Sequence, residues 1–286
     1  MKAGNMDAKK GTGSASRACP VDVLRVDADT SVRRPDFAAV EEPLEIRLQG
    51  SPFIVTMRTP GADRELAAGF LLSERIILDA DDLGTIRHCT DVDAGAEGNV
   101  LDVMLVGPAR DRAETALAAR RPVTTTSACG VCGRRSIDDL VCDIAAISAD
   151  WLMSAATVAT LPKSLRGAQS VFDDTGGLHA AGLFDREGVL VGVAEDVGRH
   201  NAVDKVIGAQ LLAERFPLSD RALFVSGRTS FEIVQKATVA GIPILGAVSA
   251  PSSLAIELAR EGNVTLLGFV RGKTFNVYSG DHRIRV

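Results

Sequence analysis

Two cysteines separated by two residues, Cys129 and Cys132, are the part of this sequence best suited to chemistry. A glycine follows each cysteine, so the sulfur atoms have little side-chain cover, and Arg134 and Arg135 come next in the chain. The thiolate, rather than the thiol, attacks electrophiles and binds metals, and nearby positive charge favours the thiolate. The pattern therefore predicts either sulfur chemistry or metal binding at this pair.

The residues after the pair predict the start of a helix. Ser136 is suited to cap a helix over Ile137–Ile147, and Asp138 and Asp139 fall in its first turn, where the helix dipole favours acidic side chains. A helix N-terminus beside a cysteine also favours the thiolate. The same charges are equally typical of an ordinary solvated surface, but such a surface does not account for thiols flanked by glycines.

Three interpretations of the pair remain open. A structural disulfide needs an oxidising compartment, and residues 1–18 contain no apolar run of the kind found in a signal peptide. A zinc site needs three or four protein ligands, and the other cysteines, Cys19, Cys89 and Cys142, form no second pair of this spacing. Thiol chemistry requires only the two cysteines themselves. We therefore favour thiol chemistry and expect no metal at the site.

Composition limits the classes of function. With 286 residues the chain can bury the core of one large domain or of two modest ones. No apolar stretch approaches the ~18 residues of a membrane span, so no membrane partner is expected. A formal net charge of −5 argues against general nucleic-acid binding, which depends on attraction to phosphates. Five cysteines, an odd number without regular spacing, indicate the reducing cytoplasm.

The chain divides into four parts by composition and hydrophobic pattern. These parts are residues 1–35, 36–126, 127–150 and 151–286. The first is rich in Lys, Gly, Ser and Ala and is predicted to be a mobile tail. The second is predicted to be a smaller α+β subdomain, in which Leu44, Ile46 and Leu48 alternate along the first strand of a hairpin. The third holds the cysteine loop and the helix after it, and the fourth is a larger α/β domain.

In the fourth part, segments typical of strands alternate with segments typical of helices. The predicted strands are 178–185, 189–195, 222–225, 244–248 and 264–270, and the predicted helices are 201–215, 230–240 and 252–261. This alternation predicts a parallel or mixed sheet with helices on both faces, so the fold class is α/β. Ligands bind to such sheets at the loops that follow the strands.

Two of those loops are equipped to bind an anion. The first contains Gly227 and Arg228 between a strand and a helix start, where backbone N–H groups and the guanidinium can face a phosphate. The second, Phe269–Thr274, ends a strand in a turn that contains Arg271 and Lys273. Neither loop matches a P-loop or a dinucleotide-binding fingerprint, and basic loops are common on any surface. Their position on one sheet favours a shared binding site.

Two histidines are further candidates. Arg199 and His200 lie between a predicted strand and a helix, where His200 can act as an acid or base and Arg199 can hold an anion. The alternative is an ordinary charged helix start. His179 begins another predicted strand, a setting more typical of a hydrogen-bonded core histidine than of a ligand.

Several separated motifs resemble those of the FdhD family. They are Ser127–Gly133, Thr175–Ala181 and Glu195–Lys205, and the likeness continues through Ser226–Arg228 and Phe269–Thr274. The resemblance covers about residues 41–278 and is specific, because long motifs occur in the same order along the chain. Members of this family are formate dehydrogenase accessory sulfurtransferases.

The resemblance implies a sulfur relay. Sulfane sulfur would pass from a cysteine desulfurase to Cys129, which holds it as a persulfide, with Cys132 as its partner. The sulfur would then reach a molybdenum bis(molybdopterin guanine dinucleotide) cofactor, which formate dehydrogenase requires in its sulfurated form. The resemblance also implies a cytidine deaminase-like fold of three layers and a homodimer.

The resemblance further implies which residues contact the cofactor. The segment it assigns consists of Phe269, Val270, Arg271, Gly272, Lys273 and Thr274. The matching motifs and the phosphates of this cofactor add Gly227, Arg228, Arg199, His200 and His179 as candidate contacts. A guanine nucleotide is expected to mimic the cofactor at this site.

Two other functions remain open. A zinc-binding module would use the cysteines as ligands, and a non-catalytic chaperone would bind the molybdenum cofactor without carrying sulfur. Hydrolytic deamination is disfavoured, because it uses a His-x-Glu motif followed by Pro-Cys-x-x-Cys. Here Ala181 stands where the glutamate would follow His179, and the cysteine pair precedes the histidine.

Overall fold

A computed structural model of the chain describes residues 16–91, 96–119 and 145–286. Cys129 and Cys132 lie outside the described residues, as does most of the helix predicted over Ile137–Ile147. Its last three residues are described and are not helical, so that end of the prediction is wrong. The backbone N–H of Ile147 donates to the carbonyl of Gly262 instead of to a helical partner.

The first described element is a long hairpin that the sequence did not predict. Strands β1 (Ala18–Asp27) and β2 (Thr30–Ala39) pair antiparallel along their whole length. The prediction of a mobile tail is therefore wrong for residues 18–35. Leu24 and Val26 are 54% and 65% exposed, so the hairpin has no buried apolar face that an alternating pattern would reveal.

The next strands form a sheet of their own. They are β3 (Glu42–Leu48), β4 (Ser51–Arg58), β5 (Leu83–His88) and β6 (Val100–Leu105), in the spatial order β4-β3-β6-β5. The β3–β4 hairpin is confirmed, and Leu44, Ile46 and Leu48 are buried as their alternation predicted. Helices α1 (Asp63–Ser73) and α2 (Ala109–Ala119) accompany this sheet.

The larger sheet contains six strands. After the short strand β7 (Met153–Ser154) come β8 (His179–Phe184), β9 (Leu190–Asp196), β10 (Ala222–Val225), β11 (Ile244–Ala247), β12 (Thr265–Arg271) and β13 (Thr274–Ser279). Their spatial order is β13-β12-β11-β10-β8-β9. Strands β10, β11 and β12 are parallel, whereas β8 is antiparallel to β10 and β13 is antiparallel to β12. The sheet is therefore mixed, one of the two forms that the sequence predicted.

Helices cover both faces of this sheet, as predicted. They are α3 (Ala155–Gly167), α4 (Ser170–Thr175), α5 (Arg199–Leu212), α6 (Phe231–Val239) and α7 (Ser253–Glu261). Alternate residues of β8 enter two separate cores: Ala181 packs in the core that α5, α6 and α7 share, and Ala180 packs in the core that contains α3. The architecture is mixed α/β, and its cytidine deaminase-like character stays a prediction.

The two sheets are joined by close packing of α1 against α5. A Cβ atom at Gly69 would overlap the backbone of Asp204, and one at Gly208 would overlap the backbone of Glu65. Only glycine allows the two helix backbones to approach this closely. The strand β14 (Ile284–Arg285) pairs with β7 and closes the fold.

No helix in the described part of the chain has both the length and the apolar character needed to cross a membrane.

Candidate functional site

Most of the predicted binding residues lie at one edge of the six-stranded sheet. Because β8 is antiparallel to β10, its first residue, His179, lies at the edge where β10 ends. The hydroxyl of Ser226 accepts a hydrogen bond from the N–H of Ala180 at 2.9 Å, and the N–H of Ser226 donates to the carbonyl of Ala180 at 2.9 Å. These bonds hold the loop that contains Gly227 and Arg228 against the start of β8.

Hydrogen bonds link three loops into a row along this edge. The N–H of Ser252 donates to the carbonyl of Thr229 at 3.0 Å, which joins the loop after β11 to the loop after β10. The N–H of Phe269 donates to the carbonyl of Ser249 at 3.1 Å. The row therefore brings both predicted anion-binding loops to the same end of the sheet.

A cleft of about 430 Å³ opens beside this row, between the sheet edge and helices α3 and α4. Its sheet side includes His179, Ser226 and Val248. Arg271 donates through Nε to the carbonyl of Val248 at 3.2 Å, so the basic turn borders the cleft. The cleft is large enough for a nucleotide-sized part of a ligand.

Gly227, His179 and Arg199 converge at the sheet side of the cleft. A Cβ atom at Gly227 would lie 3.4 Å from Nδ1 of His179 and 3.8 Å from Cδ of Arg199. Arg199 is the first residue of α5, which begins just after β9. The sequence separates these three residues, and the fold makes them neighbours.

Burial lowers the pKa of His179, and the nearby charges of Arg199 and His200 lower it further. Asp196 acts in the opposite direction but is a smaller influence. The imidazole is therefore neutral near pH 7, with one ring nitrogen that donates and one that accepts.

Three buried polar atoms around the loop after β10 have no hydrogen-bond partner among the residues that the structure describes. They are Nε of Arg199, Oγ1 of Thr229 and Oε1 of Glu232. Two of these groups, the guanidinium nitrogen and the hydroxyl, are donors, and unpaired buried donors suit the oxygens of an anionic ligand. The carboxylate oxygen is an acceptor and does not suit an anion.

His200 contacts the start of α6. It is 8% exposed, and its Nε2 lies 2.9 Å from a carboxylate oxygen of Glu232 and 3.1 Å from the hydroxyl of Ser230. These contacts brace the start of α6 beneath the loop. The cofactor contact expected for His200 stays a prediction, and the contacts described here give the residue a structural role.

Acidic residues of the Glu195–Lys205 motif hold the helices around the site. The carboxylate of Glu195 accepts from the backbone N–H groups of Val171 and Phe172, and thereby fixes the start of α4. Asp196 accepts from the N–H of Gly198 at 2.8 Å, just before α5 begins. These acids position the walls of the cleft.

Two buried ion pairs fix α5. Lys205 lies 2.6 Å from Asp196, and burial lowers the pKa of Lys205. Lys236 on α6 lies 2.7 Å from Asp204, whose pKa is raised by burial. The hydroxyl of Ser73 on α1 also donates to Asp204 at 3.1 Å. The ordinary interpretation, a structural charge network, therefore accounts for this part of the motif.

The basic turn presents most of its residues to solvent. Phe269 is 38% exposed with a positive φ of 52°, and the guanidinium of Arg271 lies 5.5 Å from the centre of its ring. The other exposed members of the two loops are Arg228, Arg271, Gly272, Lys273 and Thr274. Val270 is 1% exposed and packs in the core, so its side chain does not reach the surface.

The predicted catalytic cysteines are not among the described residues. Within the described ranges, Cys19 is exposed and Cys89 is half-buried, and both are free thiols. The same ranges contain no group of three or more His, Cys, Asp or Glu side chains placed to hold a metal ion.

Sequence reasoning missed the helical wall of the cleft. Arg166, Gln169 and Phe172 line it, on either side of the corner between α3 and α4. The sequence of this segment is typical of a single helix that ends at Thr175. It therefore predicted neither the break near Gln169 nor the side chains that line the cleft. The resemblance of Thr175–Ala181 to a family motif was the nearest signal.

Comparisons with known proteins show the family. The FdhD/NarQ family matches residues 39–285. A protein of Nocardia farcinica named sulfur carrier protein FdhD is 52% identical over 267 residues, which cover 92% of this chain and 93% of the relative. A Streptomyces avermitilis protein of the same name is 50% identical over 272 residues, covering 92% and 94%.

One solved structure resembles the whole fold. It is a protein of Desulfotalea psychrophila described as a formate dehydrogenase accessory protein, with a TM-score of 0.74 and 24% sequence identity. The match covers 94% of this chain and 100% of the other. At this identity the likeness concerns the fold alone.

Proposed function

Because the chain belongs to the FdhD/NarQ family, we propose that it is a sulfurtransferase that carries sulfur as a persulfide on Cys129. The acceptor is the molybdenum bis(molybdopterin guanine dinucleotide) cofactor of formate dehydrogenase. The sulfur carrier names of the relatives support the carrier role. The observation that supports cofactor binding most is the pair of buried donors on Arg199 and Thr229, near the loop after β10, which have no hydrogen-bond partner among the described residues.

The charges around the cleft suit a dinucleotide substrate. Arg199 and Thr229 bring unpartnered donors to the loop after β10, and Arg228, Arg271 and Lys273 add exposed positive charge along the same row of loops. The neutral imidazole of His179 adds a hydrogen-bonding group without repelling the arginines. This set of groups binds phosphates without requiring a metal from the protein.

The sulfur chemistry requires two thiols and one external reductant. The Cys129 thiolate attacks the terminal sulfur of the desulfurase persulfide, a new S–S bond forms, and the desulfurase thiolate leaves. The Cys132 thiolate then attacks Sγ of Cys129 and expels hydrosulfide, which leaves a Cys129–Cys132 disulfide. Hydrosulfide and a proton replace an oxo ligand of the cofactor and release water, and a cellular dithiol reduces the disulfide.

This function implies three partners: a cysteine desulfurase, formate dehydrogenase and a second copy of the chain. It also places the protein in the cytoplasm, where thiols stay reduced. Sedimentation of the purified protein measures whether it is a homodimer.

Intact-mass analysis tests the proposal. The protein is incubated with a cysteine desulfurase and cysteine, and we expect the mass of one extra sulfur atom. That mass should be absent in Cys129→Ser and present in Cys89→Ser, a matched control at a half-buried thiol. Equal sulfur loading of Cys129→Ser would contradict the proposal.

Binding of guanosine diphosphate separates the alternatives. A non-catalytic cofactor chaperone would bind the nucleotide and carry no sulfur, whereas a zinc module would hold about one metal ion per chain that is lost with either cysteine. We expect nucleotide binding that survives substitution of either cysteine, together with sulfur loading that is lost in Cys129→Ser.

A further inference from the structure

Several contacts hold the helical wall of the cleft together. Arg166 lies 2.6 Å from Asp173, and its guanidinium lies 4.7 Å from the centre of the Phe172 ring. The carboxylate of Glu195 fixes the same turn by accepting from the N–H groups of Val171 and Phe172, at 3.1 and 2.9 Å. A flat aromatic ring is therefore held in place beside the cavity.

Gln169 is the unusual residue of this wall. It is 3% exposed, lines the cleft, and occupies the corner between α3 and α4. Its backbone is bonded, since its N–H donates to Arg166 and its carbonyl accepts from Asp173. Its side-chain amide makes no hydrogen bond to any described residue and does not cap α4. An amide that lines a cleft and has no partner among the described residues is free to exchange hydrogen bonds with a ligand there.

We propose that Gln169 pairs with the lactam edge of a planar bicyclic ring that stacks against Phe172 in this cleft. The inference rests on the proposed function, which supplies the class of ligand. A side-chain amide offers N–H donors and a carbonyl acceptor side by side. A lactam offers the matching carbonyl and N–H.

The guanine and the pterin of the proposed substrate carry the same lactam. Either ring therefore satisfies the amide, and either is flat enough to stack on an aromatic side chain. On the sheet side, Arg271 donates to the carbonyl of Val248, a residue that lines the cleft, and so brings positive charge toward the phosphates of such a ligand. The wall thus recognises the ring, and the loops recognise the phosphates.

The test compares purine nucleotides that have the lactam with one that lacks it. Guanosine and inosine diphosphates have it, and 2-aminopurine riboside diphosphate lacks the carbonyl. With the full chain, we expect Gln169→Leu, which keeps a similar volume, to weaken binding of the first two by about tenfold and to leave the third nearly unchanged. Comparing two protein variants with ligands that have or lack the lactam separates loss of the amide contact from a general change in the shape of the cleft.

Phe172→Leu gives a second, different signature. Loss of stacking should weaken all three nucleotides alike, by roughly tenfold. Phe37→Leu on the exposed β1–β2 hairpin is the matched control and should bind as the wild type does. Thermal unfolding of each variant establishes that it is folded.

A monomeric pterin, 6-carboxypterin, distinguishes the two sources of the lactam. Dependence on Gln169 for the nucleotide, for the pterin or for both supports the inference and identifies the ring that occupies the cleft. Equal affinities of wild type and Gln169→Leu for every lactam ligand would overturn it and leave the proposed function standing. Absence of binding to the wild type by all of these ligands would contradict cofactor binding itself.

Discussion

His179 and Gly227 face each other across the sheet side of the cleft, with 3.4 Å between Nδ1 of the histidine and the position of a Cβ atom at the glycine. The histidine begins β8 and the glycine follows β10, so 48 residues of sequence separate two groups that the antiparallel pairing of these strands brings together. This contact defines the point where a ligand phosphate would meet both the imidazole and Arg199.

Gly227→Ala should block the approach of a phosphate to His179 and Arg199 without disturbing the fold. The added methyl would lie in ordinary van der Waals contact with His179 and Arg199, so stability should change little. We expect affinity for guanosine diphosphate to fall about tenfold, measured by calorimetry, because the ligand loses its approach to the loop backbone. Gly167→Ala, at a site with open space around it, is the control. Unchanged affinity in Gly227→Ala would place the phosphate elsewhere.

His179 should make stability depend on pH. Its pKa is lowered chiefly by burial, with Arg199 and His200 adding to the effect and Asp196 opposing it. The unfolded chain therefore binds the proton more tightly, so stability is lost as the pH falls through the ordinary histidine pKa of about 6.5. We expect His179→Gln to flatten the denaturant-unfolding profile between about pH 7.5 and about pH 5.5.

The exposed His282 provides the control for that measurement. His282→Gln should retain the wild-type slope of stability against pH. A profile of His179→Gln as steep as that of the wild type would assign the acid sensitivity to other groups.

Lys236→Met should strongly destabilise the protein. Lys236 is 8% exposed, and its removal leaves the buried carboxylate of Asp204 without its cation. Breaking one half of a buried pair costs about 3–5 kcal/mol of the free energy of unfolding. Urea denaturation measures the change, and the exposed Lys163→Met should be nearly neutral.

The double variant Asp204→Asn with Lys236→Met refines that prediction. It removes both charges, so part of the lost stability should return. If the double variant were less stable than Lys236→Met, the prediction would be wrong, because the unpaired carboxylate of Asp204 would then not be the cause of the lost stability.

Arg283 should anchor the chain where it returns from the cysteine-bearing segment. It is 1% exposed and donates to the carbonyls of Ile147, Ala149 and Asn263, at 3.4, 2.8 and 2.8 Å. Arg283→Met would remove the side-chain donor from the carbonyls of Ala149 and Asn263, whereas the carbonyl of Ile147 would keep the bond from Nδ2 of Asn263 at 2.7 Å. We expect a loss of about 2–4 kcal/mol in the free energy of unfolding.

Hydrogen exchange localises the effect of Arg283→Met. The N–H of Ile147, which donates to Gly262, should exchange faster in the variant. The exposed Arg285→Met is the control. Wild-type exchange at Ile147 in Arg283→Met would contradict the anchoring role.

The strands and helices that bury one regular face were predictable. The alternation of Leu44, Ile46 and Leu48 revealed the β3–β4 hairpin, because each of these residues is in the core. The β1–β2 hairpin was missed because Leu24 and Val26 lie exposed on it and give no such pattern. Periodicity reports burial, so an exposed element escapes it.

The site was predictable in part for a similar reason. Arg199, Gly227 and the basic turn carry charge or glycine at strand ends, where ligands bind sheets of this kind. Gln169 and Phe172 look like ordinary helix residues, and only the corner between α3 and α4 turns them into the cleft. Likewise, the pairing of His200 with Glu232 joins two helices that no local pattern relates.

Formate oxidation in cells tests the central claim most directly. In cells that lack this protein, the wild-type chain, Cys129→Ala and Cys89→Ala are each supplied, and the activity of purified formate dehydrogenase is measured. The sulfur-relay account predicts activity with the wild type and Cys89→Ala and none above background with Cys129→Ala. Full activity with Cys129→Ala would contradict it.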